Sequence, residues 1–215
     1  NKLGDKTPLV TDAAYFKKAF AVIQQLIADN LILAGHDVSA GGLITALLEM
    51  TFSCPELGLE VNLDDIPEPD SIRILFSEKP AVIIQVSDVS SVEKLLNQEG
   101  INFHFIGKVL NQHLLHITHQ GVDLQLDIDH YRDTWYRTSY LLDKKQTASD
   151  LARKRYENYK KQSLTYQYPN GFSGIASDLG ASFNRRQPSG HKAAIIREKG
   201  INGDREMAYM MHLAG

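Results

Sequence analysis

Residues 10–128 are predicted to form an α+β (mixed α/β) layered sandwich, on three observations. Phe16, Phe20, Ile23, Leu26 and Ile27 recur at three- and four-residue steps, the period of an amphipathic helix. Leu57, Leu59, Val61 and Leu63 alternate strictly, the period of a strand with one buried face. Two further strand-like runs, 114–118 and 122–128, flank Gln120-Gly121, a turn that joins them as an antiparallel hairpin. Helices that intervene between strands and a hairpin make a layered α+β arrangement.

The elements follow in order. Residues 1–10 read as a leading loop, and Thr11 is the expected cap of a helix that runs to about Asn30. Residues 31–35 form a short apolar run, expected as a buried strand. Leu43, Leu47 and Met50 share one face of the next helix. Two prolines make 64–70 a loop, and 72–76 one helical turn. Residues 81–86 are nearly all apolar and are expected as a central strand. A short helix over 90–98 stops at Gly100, and 103–109 is a further strand. From 129 to about 162 the pattern is helical and polar, with Trp135, Tyr136, Tyr140 and Leu141 as its apolar stripe. Residues 163–190 are rich in Gly, Pro and Ser without a sustained period, which reads as a linker. A strand over 192–197, a loop over 200–203 and a helix from Asp204 open a separate α/β unit.

Composition excludes several classes. The chain has 215 residues, 43% of them apolar and 23% charged, which suits a globular core. A net charge of −3, from 23 basic and 26 acidic residues, gives no reason to expect nucleic acid or an anionic membrane as partner. No apolar run approaches the roughly 18–20 residues that cross a bilayer. The single cysteine, Cys54, excludes a disulfide framework and paired-cysteine metal sites, and points to a reducing, cytoplasmic setting. With no base identifiable beside it, Cys54 reads as a small buried residue. The chain starts at Asn1 and a new unit opens near its end, so it is expected to be a piece of a longer polypeptide.

The chemistry concentrates in His36-Asp37-Val38-Ser39-Ala40-Gly41-Gly42-Leu43. A strand gives way to polar residues, two glycines let the backbone approach a ligand, and a helix begins. Free N–H groups at a helix start favour phosphate or another anion. Asp37 could hold a divalent cation that bridges to phosphate oxygens, and Ser39 could bond a phosphate or ribose. Plainer roles fit too: Asp37 and Ser39 as helix-start caps, the glycines as spacers for close packing. Elsewhere, His113, His116 and His119 lie three apart across a strand and its turn, a spacing that sends neighbours to opposite faces rather than to one metal. The seven Lys and Arg within 144–161 read as a solvated helix face. Asp123, Asp127 and Asp129 share strand parity, which leaves carboxylate pairing and simple solubility both open.

The segment from His36 to Leu43, followed by an apolar helix, resembles the C-terminal-domain motif of the aminoimidazole ribonucleotide synthetase superfamily. Three further stretches are similar to the large, single-chain phosphoribosylformylglycinamidine synthase family. They are Leu75-Phe76-Ser77-Glu78 leading into 81–86; 131–142, with Trp135 and Thr138-Ser139-Tyr140; and 193–202, with Glu206-Met207-Ala208 behind it. The last resembles the opening strand, loop and helix of that family's glutaminase domain. The resemblance implies a three-layer α/β/α sandwich over 1–128, a connecting helix over 129–162, a linker over 163–191, and the start of a glutamine amidotransferase domain at 192–215. It implies a purine-biosynthesis ligase that converts formylglycinamide ribonucleotide, ATP and glutamine into formylglycinamidine ribonucleotide, ADP, phosphate and glutamate.

In that family ATP phosphorylates the substrate's amide oxygen, and ammonia released from glutamine displaces the phosphate. The resemblance carries Asp37 over as a Mg²⁺ ligand and Ser39 as an ATP or ADP contact, in either a catalytic or an auxiliary nucleotide site. It places no catalytic residue here. The implied partners are an N-terminal synthetase part and a C-terminal glutaminase part of the same polypeptide, besides small-molecule substrates, so this piece is expected to be inactive alone. A non-catalytic scaffold and an ATP-using relative, such as a selenophosphate or thiamine-phosphate kinase, are the alternatives. Asp37 and Ser39 speak against the first, and residues 193–215 against the second.

Overall fold

Asp12 rather than Thr11 starts the first helix, because the Asp12 carboxylate accepts the Tyr15 N–H at 2.9 Å. The computed structural model describes residues 9–161, 167–184 and 187–215. Helix α1 spans Ala13–Ala28 and turns Val22 and Leu26 inward. Strand β1, Ile32–Val38, runs three residues past the expected end at 35, and pairs antiparallel with β3, Ala81–Val86. Helix α4, Val89–Gln98, starts at Asp88, whose carboxyl is held below the usual range by hydrogen bonds from the Ser91 hydroxyl and N–H.

Strand β3 belongs to a two-stranded sheet, so it is not the central strand its composition suggested. Its alternation still decides the layers. Ile84 and Val86 pack with Val22 and Leu26 of α1 and Val92 and Leu96 of α4. Ile83 packs toward a second core. The β1–β3 pair therefore lies between α1 and α4 on one face and that core on the other, an α/β/α stack.

The second core joins α2, Gly42–Thr51, and α3, Ser71–Leu75, to a four-stranded sheet of order β4-β2-β5-β6. Here β2 is Gly58–Asn62, β4 is Gly107–Leu110, β5 is Leu114–His119 and β6 is Val122–Asp127. Val61, Leu115, Ile117 and Leu126 supply the buried face, and Leu47 and Leu48 of α2 cover it with Phe52 at the helix end. The hairpin register runs from Leu114↔Asp127 to His119↔Val122, with Gln120 and Gly121 at φ of 45 and 85. The strand expected over 103–109 is shifted to Gly107–Leu110, with Gly107 opposite Val61, and one further bond, from the Asn62 N–H to the Ile106 carbonyl at 2.8 Å, ends the pairing.

The polar helix expected over 129–162 breaks in two. Helix α5, Ile128–Gln146, ends at Thr147, and α6, Ser149–Asn158, folds back along it. Asp143 fixes the reversal by accepting from the Thr147 hydroxyl and from Arg155. Tyr136 and Tyr140 then stack against Tyr159 and Tyr156 with centroids 4.2 and 4.7 Å apart, so the two tyrosines are half-buried rather than free. Asp133 closes the hairpin by accepting from the Tyr159 hydroxyl at 2.7 Å and Lys160 at 2.8 Å.

This closure is expected to titrate at both ends of the pH scale. Burial pushes the Asp133 carboxyl up, but the Lys160 and Tyr159 hydrogen bonds and the Lys160 and Arg132 charges outweigh it and hold it below 3.8. Burial, then the bond to Asp133, pushes the Tyr159 phenol well above 10.0. A lowered carboxyl contributes stability that is present above its unfolded value and lost as pH falls through its folded one. A raised phenol contributes stability that is present below its unfolded value and lost as pH rises past it. Thermal melting should therefore show an acid limb below 3.8 and an alkaline limb above 10.0. Asp133→Asn should flatten the acid limb, and an unchanged limb would contradict this assignment.

The described residues from 161 to 215 form their own compact unit. Helix α7, Asp204–Ala214, buries Leu213, whose carbonyl accepts the Ser182 N–H at 3.0 Å. Arg197 bonds Asp204 at 2.7 Å across the turn before the helix. The strand expected over 192–197 does not form, and Ile196 is 91% exposed. A strand needs a hydrogen-bonded neighbour, and no described segment supplies one. Residues 1–8 of the expected leading loop, residue 162 of the expected connecting helix, and 163–166 and 185–186 of the expected linker lie outside the described residues.

Candidate functional site

Three segments that the sequence marks separately meet around α2. The first is the end of β1, where His36, Asp37 and Val38 pair with Ile83, Val82 and Ala81. Val38 is buried, so strand alternation turns Asp37 outward, and its side chain is 76% exposed. Among the described residues the Asp37 carboxylate accepts no hydrogen bond. The His36 Nδ1 atom stands 3.9 Å from it. The Ser39 hydroxyl is exposed and likewise unbonded among the described residues.

The chain then turns through Gly41 and Gly42, at φ of 88 and 74. The turn packs on the second segment, Leu75-Phe76-Ser77-Glu78. A Cβ on Gly42 would stand 2.7 Å from both the Leu75 carbonyl oxygen and the Phe76 carbonyl carbon. The Gly41 N–H donates to Glu78 Oε1 at 2.9 Å, and the Gly42 N–H to the Ser39 carbonyl at 3.0 Å. Thr45 Oγ1 donates back to the Gly41 carbonyl at 3.0 Å. These contacts correct two expectations. The N–H groups of Gly41 and Gly42 are not free for an anion, because a carboxylate and a carbonyl hold them. Neither Asp37 nor Ser39 caps the helix: Asp37 lies in β1, and Gly41 is the N-cap residue. The close-packing role foreseen for the glycines applies at Gly42.

The third segment is α5. Trp135 Nε1 donates to Glu49 Oε1 at 2.7 Å, and Glu49 Oε2 lies 3.2 Å from His36 Nε2. The other His36 nitrogen, Nδ1, is 2.7 Å from the Asp37 carbonyl oxygen. Glu49 on α2 therefore ties β1 to α5. Sequence reasoning missed both Glu49 and Glu78. Glu78 sits inside a stretch it had marked, but the bond to Gly41 crosses 37 positions and the Trp135 bond to Glu49 crosses 86.

The donor chemistry fits one contribution to a Mg²⁺ site. Mg²⁺ takes one or two carboxylates and completes its shell with water and phosphate oxygens. An exposed carboxylate without a hydrogen bond meets that need. Among the described residues no group of three His, Cys, Asp or Glu converges to hold a metal by itself. The three spaced histidines go to separate partners: His113 to the Leu57 carbonyl at 3.0 Å, His116 to Asp123 at 2.9 Å, and His119 to the Ser71 hydroxyl at 2.7 Å. The three aspartates separate too, since Asp127 caps α5 and Asp129 stands 3.8 Å from His113. Cys54 is half-buried rather than buried, in the turn between α2 and β2.

Residues 2–120 match the profile of the AIR synthase related protein, C-terminal domain. The chain belongs to that family. Beyond the AIR synthase related domain, the whole chain aligns with phosphoribosylformylglycinamidine synthase of Homo sapiens at 30% identity, and covers 16% of that protein. It aligns over its whole length with a probable phosphoribosylformylglycinamidine synthase, chloroplastic/mitochondrial, of Arabidopsis thaliana at 32% identity, and covers 15% of it. The chain thus spans about one sixth of the curated relatives it matches. The Thermotoga maritima PurLQS structure matches at a TM-score of 0.50 and 17% identity, over 56% of this chain and 22% of that one. T. maritima PurL complexed with FGAR matches at 0.50 and 18%, over 56% and 21%. These two likenesses show that the AIR synthase related domain here has the same fold. No helix among the described residues is long and apolar enough to cross a membrane.

Proposed function

We propose that this chain is the part of a phosphoribosylformylglycinamidine synthase that contributes a Mg²⁺–nucleotide contact to a ligase assembled from a longer polypeptide. The observation that carries the reading is the alignment of the entire chain, AIR synthase related domain and following unit together, with synthases of that name. The reaction would join formylglycinamide ribonucleotide and glutamine nitrogen at the expense of ATP, giving formylglycinamidine ribonucleotide, ADP, phosphate and glutamate. A cytoplasmic setting, read from the lone cysteine, belongs to the same proposal.

The roles of this chain's residues follow from their placement. Asp37 presents a carboxylate from the end of a paired strand, where backbone hydrogen bonds fix its direction. A cation held there would neutralise charge on nucleotide phosphates. The Ser39 hydroxyl, two residues on and exposed, would bond phosphate or ribose. Glu78 keeps the Gly41 backbone in the turn that separates these two residues from α2. Nucleophile, base and most of the substrate site would come from the remaining five sixths of the polypeptide, as would the glutaminase chemistry. Residues 192–215 would be the opening of that glutaminase.

The test is complementation. The chain alone should show no glutamine- and ATP-dependent amidine formation. Co-expressed with the remainder of a relative's polypeptide it should restore that activity, and with Asp37→Asn it should restore much less. Activity from the chain alone, or no restoration by any form of it, would overturn the reading.

A further inference from the structure

We propose that Asn170 is a site of spontaneous deamidation and isoaspartate formation, and that the fold shields the chemically equivalent Asn202. The chain holds two Asn-Gly pairs, Asn170-Gly171 and Asn202-Gly203. In such a pair the glycine main-chain nitrogen reaches the asparagine side-chain carbonyl readily, since no Cβ on the second residue stands in the way. Asn170 and Asn202 are both exposed, so exposure does not separate them. The hydrogen bonds around them do.

The covalent step needs no reactant but water. The Gly171 nitrogen gives up its proton to hydroxide and attacks Asn170 Cγ. The new C–N bond closes a five-membered succinimide while the bond from Cγ to the side-chain nitrogen breaks. That nitrogen takes a proton from water and leaves as ammonia. Water then opens the ring at either carbonyl. One opening gives aspartate, and the other gives isoaspartate, in which the main chain runs through the side-chain carbons. Either product carries one negative charge where Asn170 carried none.

Ring closure requires rotation between the asparagine Cα and its carbonyl carbon, so whatever bridges that bond sets the rate. Across Asn170 the bridge is light. The Phe172 N–H donates to the Pro169 carbonyl at 3.0 Å, and the Tyr168 and Phe172 rings stack with centroids 4.8 Å apart. Neither the Asn170 side chain nor the Gly171 N–H has a hydrogen bond among the described residues, and nothing lies within 4 Å of where a Gly171 Cβ would stand. Releasing one exposed bond and one ring stack should slow the reaction no more than roughly ten- to thirtyfold. Across Asn202 the bridge is heavier. The Arg197 guanidinium bonds Asp204 at 2.7 Å on one side and the Ile201 carbonyl at 3.4 Å on the other. The Ile201 N–H donates to the Glu198 carbonyl at 3.1 Å, and the Gly203 carbonyl accepts the Met207 N–H at 3.0 Å. Rotation at Asn202 must swing the first turn of α7 away from Arg197, which is local unfolding rather than the opening of a turn.

The experiment holds the whole 215-residue chain at mildly alkaline pH, folded and in urea, and follows both pairs by peptide mapping with mass spectrometry. In urea the two pairs should react at similar rates. In the folded chain Asn170 should react at least about tenfold faster than Asn202, with isoaspartate among its products. Equal folded rates, a faster Asn202, or aspartate without isoaspartate at Asn170 would each overturn the inference. Arg197→Ala should speed Asn202 severalfold and leave Asn170 unchanged, and an unchanged Asn202 would show that Arg197 is not its shield. If that variant unfolds its unit, both rates rise to their values in urea and the wild-type ratio decides.

Discussion

Gly42→Ala should lower the folding stability of this chain by about 2–5 kcal/mol, through steric clash and backbone strain acting together. The backbone φ of 74 is strained for any residue with a Cβ. The added methyl would also stand 2.7 Å from the Leu75 carbonyl oxygen, against main chain that cannot swing aside. Gly121→Ala separates the two causes. It carries the same kind of strain at φ 85, with nothing within 4 Å of the new Cβ, and should cost only about 1–2 kcal/mol. Urea denaturation of both variants checks this, and equal losses would show that Gly42 is not the contact between α2 and the 75–78 segment.

Leu47→Ala should cost a further large amount, about 2–5 kcal/mol. Leu47 is 2% exposed and lies in the core formed by α2 with Leu63, Leu115 and Ile117. Truncation leaves a cavity against a sheet whose hydrogen-bonded ladder cannot collapse into it. The same helix carries Glu49 and begins at the glycine turn, so loss of this anchor should also loosen the site. Leu33→Ala is the control: at 60% exposure on β1 it should change stability by less than about 0.5 kcal/mol. Matching losses at the two positions would contradict the placement of the core.

Much of this architecture is written in local pattern. The hairpin about Gln120-Gly121, the alternation of 57–63 and the helical face of 43–50 depend on near neighbours, and each forms where expected. The misses share a different cause. Strand β1 continues to Val38 because β3 offers partners as far as Ala81, and no residue within 36–38 announces this. The break at Thr147 is set by Asp143 reaching Arg155, twelve positions away and past the turn. Trp135 looked like part of an apolar stripe, yet its indole N–H reaches Glu49. Asp37 and Ser39 were legible as a candidate pair because their spacing and the following glycines are local. Glu49 and Glu78, which shape the ground around them, act only through long-range contacts. The helix start was marked for an anion, and of its N–H groups those of Gly41 and Gly42 are taken up by Glu78 and the Ser39 carbonyl.

The central claim is that Asp37 presents a free carboxylate to a nucleotide-bound cation. Calorimetric titration of the chain with ADP, with and without Mg²⁺, beside Asp37→Asn tests it most directly. The account predicts heat of binding that requires Mg²⁺ and is lost in the variant. Binding of equal strength in both forms, or none in either, would contradict it.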